Sequence, residues 1–427
     1  LSEASFDASG GYARRRHALS FPLRSVELGV LRLLAFALCV AFVEPSPYEL
    51  AFVLAFLVFS ITGLRLHATT YPLALLLLMF NIGGLFALIP FLDEAPSVRF
   101  IIVGMYLAIT SLFYAMLLRD DTQARLDALR IGYIFATFVA ACGGIAGYFN
   151  VAGLGEAMTL YGRASGTFKD PNVLGTFSIL GLVWLAQGFL IGKARPLRDI
   201  FLLTIILLGG VFLTFSRGAW AHAAASLGLM AALTFIAADD ARVRRRVVLI
   251  CMSGLVFLAC ALAVALSVEE IRRVFEIRAS LQQSYDLGVQ GRFGNQLRSI
   301  PELLELPNGF GPLRFRFHFP EDPHNVYINA FASYGWIGGL SYIALVAMTL
   351  VAGWRLVFLR SPWRMHAIAI WSTFFVQILQ GIQIDTDHWR HWYLMLGLVW
   401  GLVAACAARA PAAPDPSGTH LRTSTKA

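Results

Sequence analysis

Four segments of this chain carry residue types that suit a phosphorylated substrate. One is "DPHNVYINAFASYGWIGG" (322–339), which sets His324 and Asn325 ahead of a glycine-dotted apolar run. The others are "YGRASGTFKDPNVLG" with Arg163, Lys169, Asp170 and Asn172, "LTFSRGAW" with Ser216 and Arg217, and "VQGRFGNQLRSIPELLELPNGFG" with Arg292 and Arg298. A guanidinium fork binds two oxygens of one phosphate at once, which suits a diphosphate leaving group. An imidazole titrates near neutral pH and so fits proton transfer. Together these types describe an anion site with a proton-transfer group beside it.

The local sequence predicts how they are held. Asp170-Pro171-Asn172 and Asp322-Pro323-His324 both read as an N-cap Asp, a Pro at the first helical position and a polar side chain behind it. Ser216-Arg217 reads as a third helix start. Each helix N-terminus offers unpaired N–H groups and about half a positive charge, so three of them with Arg or His in the first turn favour phosphate. On a continuous helix from His324, Gly335 falls about 20° off the same face and roughly 16 Å deeper. The spacing therefore predicts Gly335, Gly338 and Gly339 inside a membrane, where small residues let helices approach, with the chemistry left at the lip.

The elements that position these residues are predicted to be membrane helices. Of 427 residues, 58% are hydrophobic and only 14% charged, with 33 Phe; a soluble domain carries about a quarter charged residues. Apolar runs long enough to cross the hydrocarbon fall near 26–43, 48–64, 71–92, 98–118, 128–149, 172–192, 199–215, 217–238, 245–267, 325–357, 364–384 and 391–408. The fold class is thus all-α, a polytopic integral membrane protein of about 12 transmembrane helices. One membrane domain (26–408) is expected between a basic tail (1–25) and a tail at 409–427 predicted to be disordered. The N-terminal segment has no cleavage-site pattern and reads as a cytoplasmic tail.

Charge sets the expected orientation. With the N-terminus inside, 22 of the 34 Lys and Arg lie in cytoplasmic segments, 5 in short external loops and 7 in the long loop 268–323. Long loops count little, so the bias predicts both termini inside and the four motifs outside. Arg163, Lys169 and Arg217 resist that bias. The five cysteines sit in apolar stretches without metal-site spacing and read as packing residues.

"HN" followed by nine residues and "GWIG" resembles the histidine motif of bacterial O-antigen ligases. "GRASGTFKDPNVLG", "LTFSRGAW" and "GR…LPNGFGPLRF" are similar to further blocks of that family and of its sister repeat-unit (Wzy-type) and exopolysaccharide polymerases. The resemblance covers about 160–345, together with the twelve spans and a long loop after the ninth; 1–150 match in hydropathy only. It implies a metal-independent GT-C-like glycosyltransferase of the bacterial inner membrane, without cofactor, working on the periplasmic face. The donor it implies is a glycan on undecaprenyl pyrophosphate, and the acceptor a lipid A–core or another lipid-linked glycan. By motif position, Arg217 and Arg292 hold the pyrophosphate and His324 acts at the acceptor hydroxyl. Arg163, Lys169, Asp170 and Asn172 shape the donor site, with Ser216, Asn325 and Arg298 as further substrate-binding candidates. Membrane lipids are expected partners and nucleic acid is not.

Other readings stand beside this one. His324 is also what a loop-bonded helix start looks like, Arg217 what a snorkelling interfacial arginine looks like, and Arg163 and Lys169 fit lipid headgroup contacts. Asp385, Asp387, His388 and His391 in "QIDTDHWRHW" are a candidate metal set or a rim contact. Arg272, Arg273 and Arg278 alternate with Glu269, Glu270 and Glu276 as on a solvated amphipathic helix. Gln377, Gln380 and Gln383 step by three down the eleventh span and suit interhelical hydrogen bonds, with a polar lining for substrate as the alternative, and His222 reads as structural. A transporter would place ionisable residues near mid-span and repeat its broken helices; none of the predicted spans does so. Arg298, Arg314 and Arg316 are available for the second diphosphate that a polymerase would bind, so ligase and polymerase both stay open.

Overall fold

The computed structural model describes residues 9–279, 288–289 and 291–409, with side chains over 23–277 and the two later stretches. The tail after residue 409, the first eight residues and the side chain of Arg278 lie outside these. The chain opens with α1 (Ser9–Ala37), α2 (Pro47–Thr62), α3 (Tyr71–Leu88), α4 (Ala95–Leu117) and α5 (Thr122–Tyr148). A short turn of helix, α6 (Gly155–Met158), leads into a two-stranded hairpin, β1 (Thr159–Leu160) and β2 (Arg163–Ala164). Then follow α7 (Pro171–Leu190), α8 (Pro196–Ile205), α9 (Arg217–Ala237), α10 (Ala241–Leu266) and α11 (Glu269–Ala279). The chain closes with α12 (Arg292–Glu305), α13 (Phe315–His318), α14 (Val326–Phe358), α15 (Arg364–Gln380) and α16 (Arg390–Arg409).

Nine of these elements, among the described residues, are long and apolar enough to cross a membrane: those built on α3, α4, α5, α7, α8 with its following turns to Thr214, α9, α10, α14 and α16. The protein is an all-α, multi-pass membrane protein. The other three expected spans also exist as helices: α2 and α15 are shorter, at 16 and 17 residues, and α1, with 29, ends at Ala37, before the expected 43. Outward faces stay apolar, as at Leu50, Ile61, Leu75 and Val264, because hydrocarbon rather than water meets them.

Inside, small residues and polar pairs hold the bundle. A Cβ on Gly83 of α3 would lie 2.4 Å from the Gly338 nitrogen of α14. That approach is the packing role expected for the glycine motif. Gln380 Oε1 lies 2.9 Å from His222 Nδ1, joining α15 to α9, and Gln377 Nε2 lies 3.1 Å from His391 Nε2, joining α15 to α16.

Two irregular stretches place the functional loops. The residues after α8 wind into a π-helix at Ile206–Val211 and a 3-10 turn at Phe212–Thr214, ending with Phe215 at φ 46° and Ser216 as the cap of α9. Such π segments are rare and are found frequently at functional sites. The second stretch corrects the sequence reading of 322–339. The helix starts at Val326, and its cap is Asn325, whose Oδ1 accepts from the Tyr327 and Ile328 N–H groups; Asp322 does not cap it.

Nor is that helix continuous. Gly335 (φ 64°, ψ −169°) breaks it, so the face and depth expected of a straight helix do not apply. The loop takes over the backbone partners at the break. Ala332 O accepts from Phe310 N and Gly311 N instead of Trp336 N, and Trp336 N donates to Pro307 O at 2.8 Å. A Cβ on residue 335 would lie 2.5 Å from that same carbonyl, so both the φ and the space demand glycine. The part after the break, 336–358, is long enough to cross alone.

Candidate active site at the convergent helix starts

The predicted residues arrive from five elements. Asp170 caps α7, its Oδ1 accepting from Asn172 N at 2.6 Å, with Pro171 at the first position. Ser216 caps α9 through Ala219 N at 3.3 Å. Both caps are local and match expectation. The β1–β2 turn has positive φ at Tyr161 and Gly162, the geometry of a two-residue hairpin, and it aims Arg163 inward. Arg163 Nε donates to Thr214 O at 2.7 Å and its Nη2 to Asn172 Oδ1 at 2.8 Å. Arg163 therefore ties the start of α7 to the turn that launches Arg217.

Arg217 opens α9, and the site closes around it through neighbours. Gly218 faces Gln380 so closely that a Cβ would lie 2.9 Å from its amide nitrogen. The next residue, Gly381, accepts Val326 N at 2.8 Å and so joins the end of α15 to the start of α14. α11 covers the outside: Phe275 stacks on Trp220 at 5.3 Å, and Ile271 is buried beside Leu213 and Phe215. Its charged side stays exposed, with Arg272 2.5 Å from Glu269, as the amphipathic reading expected.

His324 sits in the turn before α14, partly buried, at φ 44°. A non-glycine residue in that region marks a position the surroundings impose. Arg292, the first residue of α12, donates from Nη1 to Gln383 O at 3.0 Å. Burial and then the charge of Arg292 hold the His324 pKa below its ordinary 6.5, while Asp322, Glu321 and Asp170 pull the other way. Those influences put Arg292, His324 and the α7 start in one electrostatic neighbourhood.

The "QIDTDHWRHW" loop belongs to this site, a placement that spacing could not reveal. Asp385 Oδ1 accepts from Asn325 N at 3.1 Å, across 60 residues of sequence. Burial, then the charge of Asp387, push the Asp385 carboxyl up to about 8. Asp387 is buried and accepts from Asn329 Nδ2 at 3.2 Å. His388 lies 3.1 Å from it and has its pKa raised: burial, the largest single influence, opposes that rise but is outweighed by Asp387 together with the Phe100 carbonyl and Asp385. His391 turns inward to Gln377 instead. Among the described residues no three His, Cys, Asp or Glu side chains gather as a metal set.

Two candidates stand apart. Lys169 is exposed and pairs with Glu44 at 2.5 Å. Arg298 is exposed on α12, donating to Asn295 Oδ1 at 2.6 Å and lying over the Phe319 ring. Arg314 pairs with Glu94, and Arg316 with Asp322 at 2.8 Å.

Asp385 gives a pH test. Its folded-state pKa is raised from 3.8 to about 8, so its stabilising contribution is full below about 3.8, is lost progressively as pH rises towards about 8, and changes no further above that. Asp385→Asn keeps an acceptor for the Asn325 N–H without the charge. The variant is expected to lose the wild-type decline between about pH 4 and pH 8, and so to melt above the wild type at neutral pH and higher. Asp385→Ala leaves that N–H without its acceptor and is expected to cost about 1–3 kcal/mol. Thermal unfolding from pH 5 to 9 reads both; an unchanged decline between pH 5 and 8 in Asp385→Asn rules the account out.

Residues 202–343 match the family model described as O-Antigen ligase (Wzy_C), which is 142 of the 427 residues. The matched stretch holds Arg217, Arg292, His324 and the Gly335 break, and it supports the family resemblance read from the motifs. Arg163, Lys169, Asp170, Asn172 and Asp385 lie outside it. No curated protein matches the chain at a significant level.

Proposed function

From a membrane chain whose residues 202–343 match the O-antigen ligase family, we propose a glycosyltransferase that moves a glycan from undecaprenyl pyrophosphate to the hydroxyl of a lipid A–core. The observation that carries this reading is a pair of ties: the 383–385 loop holds both Arg292, through Gln383 O, and the His324 turn, through Asp385 on Asn325 N, and Arg163 joins the start of α7 to the turn before α9. The acceptor O–H attacks the anomeric carbon as the bond from that carbon to the diphosphate oxygen breaks. His324 takes the acceptor proton. Arg217, Arg292 and the helix N-termini stabilise the charge that develops on the departing diphosphate, and such stabilisation usually contributes most to the rate. Arg163 positions the α7 and α9 starts; Asp170, Asn172, Ser216 and Asn325 shape the site. One direct displacement inverts the anomeric configuration. The site faces the periplasm, with both termini cytoplasmic.

A polymerase of lipid-linked repeat units shares this donor chemistry and needs room for a second diphosphate. Of the three loop arginines suited to that job, Arg314 and Arg316 are ion-paired to Glu94 and Asp322, which favours the ligase reading. The test uses the purified chain in liposomes with undecaprenyl-linked glycan and EDTA. Glycan is expected to appear on lipid A–core once that acceptor is added, with no product before. A ladder growing from the lipid-linked units alone makes the protein a polymerase; no transfer in either arm removes the glycosyltransferase reading.

A further inference from the structure

α12 is built unlike a helix of a water-filled loop. At roughly 100° per residue, Phe293, Leu297, Ile300 and Leu304 fall within about 60° of each other. They are 44%, 70%, 43% and 66% exposed. Arg298, Glu302 and Glu305 form a second exposed face, centred about 140° away. The third face is the buried one, and three of its four residues are polar: Asn295, Gln296 and Ser299, with Leu303. A helix bathed in water would turn its apolar stripe onto the protein. Here polar groups dock, and the apolar stripe and charged face are both left outside, the pattern of a helix lying in a membrane interface.

The neighbourhood identifies what covers the stripe. Trp336 Nε1 donates to Leu303 O at 2.8 Å, so the end of α12 lies against the membrane-crossing part of α14. That part shows Ile337, Leu340 and Ile343, 46%, 61% and 44% exposed, a surface that only lipid can cover in a span. Leu304 and Ile337 each follow one of the two hydrogen-bonded residues in sequence, so the end of the α12 stripe comes beside this surface at the break at Gly335.

We propose that α12 is an interfacial anchor: Phe293, Leu297, Ile300 and Leu304 sit among the lipid acyl chains of the leaflet on the loop's side, with Arg298, Glu302 and Glu305 in water. The anchor is coupled to the site. Gln296 Nε2 donates to Pro323 O at 2.8 Å, one residue before His324, and Arg292 is the first residue of the same helix. Lipid contact thus fixes the height of Arg292 and the His324 turn relative to the membrane, whatever glycan the site handles.

Photocrosslinking of the full chain in phospholipid nanodiscs tests this without reference to activity. Benzoylphenylalanine is placed at Leu297 or Leu304 on the stripe, or at Glu302 on the charged face. All three are exposed, so the larger ring displaces no core residue. Peptide mass spectrometry after irradiation is expected to find phospholipid adducts at 297 and 304 and none above the dark control at 302. Equal lipid adducts at all three positions, no lipid adduct at either stripe position, or adducts there only to another protein segment overturn the proposal.

Discussion

His324→Ala is expected to lower glycan transfer by about 10²–10⁴-fold, the usual worth of a general base, with protein level and membrane insertion unchanged. The turn is held from outside by Asp385 on Asn325 N and Gly381 on Val326 N, so the side chain can go without releasing the backbone. Because residue 324 sits at φ 44°, His324→Asn is the companion variant: asparagine tolerates that conformation and supplies no base. Both variants are expected to be equally inactive. A variant keeping more than roughly a tenth of the rate contradicts the role.

The same residue sets a pH profile. The neutral imidazole is the active form, so kcat/KM falls as pH drops through the His324 pKa. Burial and Arg292 hold that pKa down, and the acid limb is expected below 6.5. Arg292→Gln removes one of the two causes and is expected to move the limb to higher pH as well as slowing turnover. An unmoved limb would separate Arg292 from His324.

Arg217→Lys is expected to lose nearly as much as Arg217→Ala, about 10²–10³-fold, the scale for removing one donor from a developing anion. A point charge on a flexible stem cannot reproduce the two-pronged contact of a guanidinium with diphosphate. Steady-state kinetics with the lipid-linked donor reads this as a fall in kcat greater than any rise in KM. Full turnover with lysine would reduce Arg217 to a source of positive potential. Ser216→Ala isolates the loss of the side chain that caps Ala219 N, a cap worth about 1 kcal/mol, while keeping the arginine.

The sequence by itself determined the features that depend on composition or on a few neighbouring residues. Hydropathy made the chain a bundle of membrane helices because hydrocarbon leaves the backbone no other partner than itself. The Asp170 and Ser216 caps were legible because a cap is decided within three residues. The start of α14 followed the same local logic and went elsewhere. Its cap is Asn325, and its first N–H groups find Gly381 O and Asp385 about 60 residues on, partners that only the packing of α15 and its loop supplies. The break at Gly335 was hidden for a like reason. A straight helix is the lowest-energy reading of 326–358 until Pro307 and the 310–311 backbone offer replacement hydrogen bonds at that turn. Tertiary structure also divided the arginines. Arg163 was drawn to the start of α7 and the turn before α9, and Arg292 to the loop after α15, while Arg314 and Arg316 were tied to Glu94 and Asp322. Charge type is written in the sequence, but which carboxylate or carbonyl lies within 3 Å of a guanidinium is fixed only when distant helices meet.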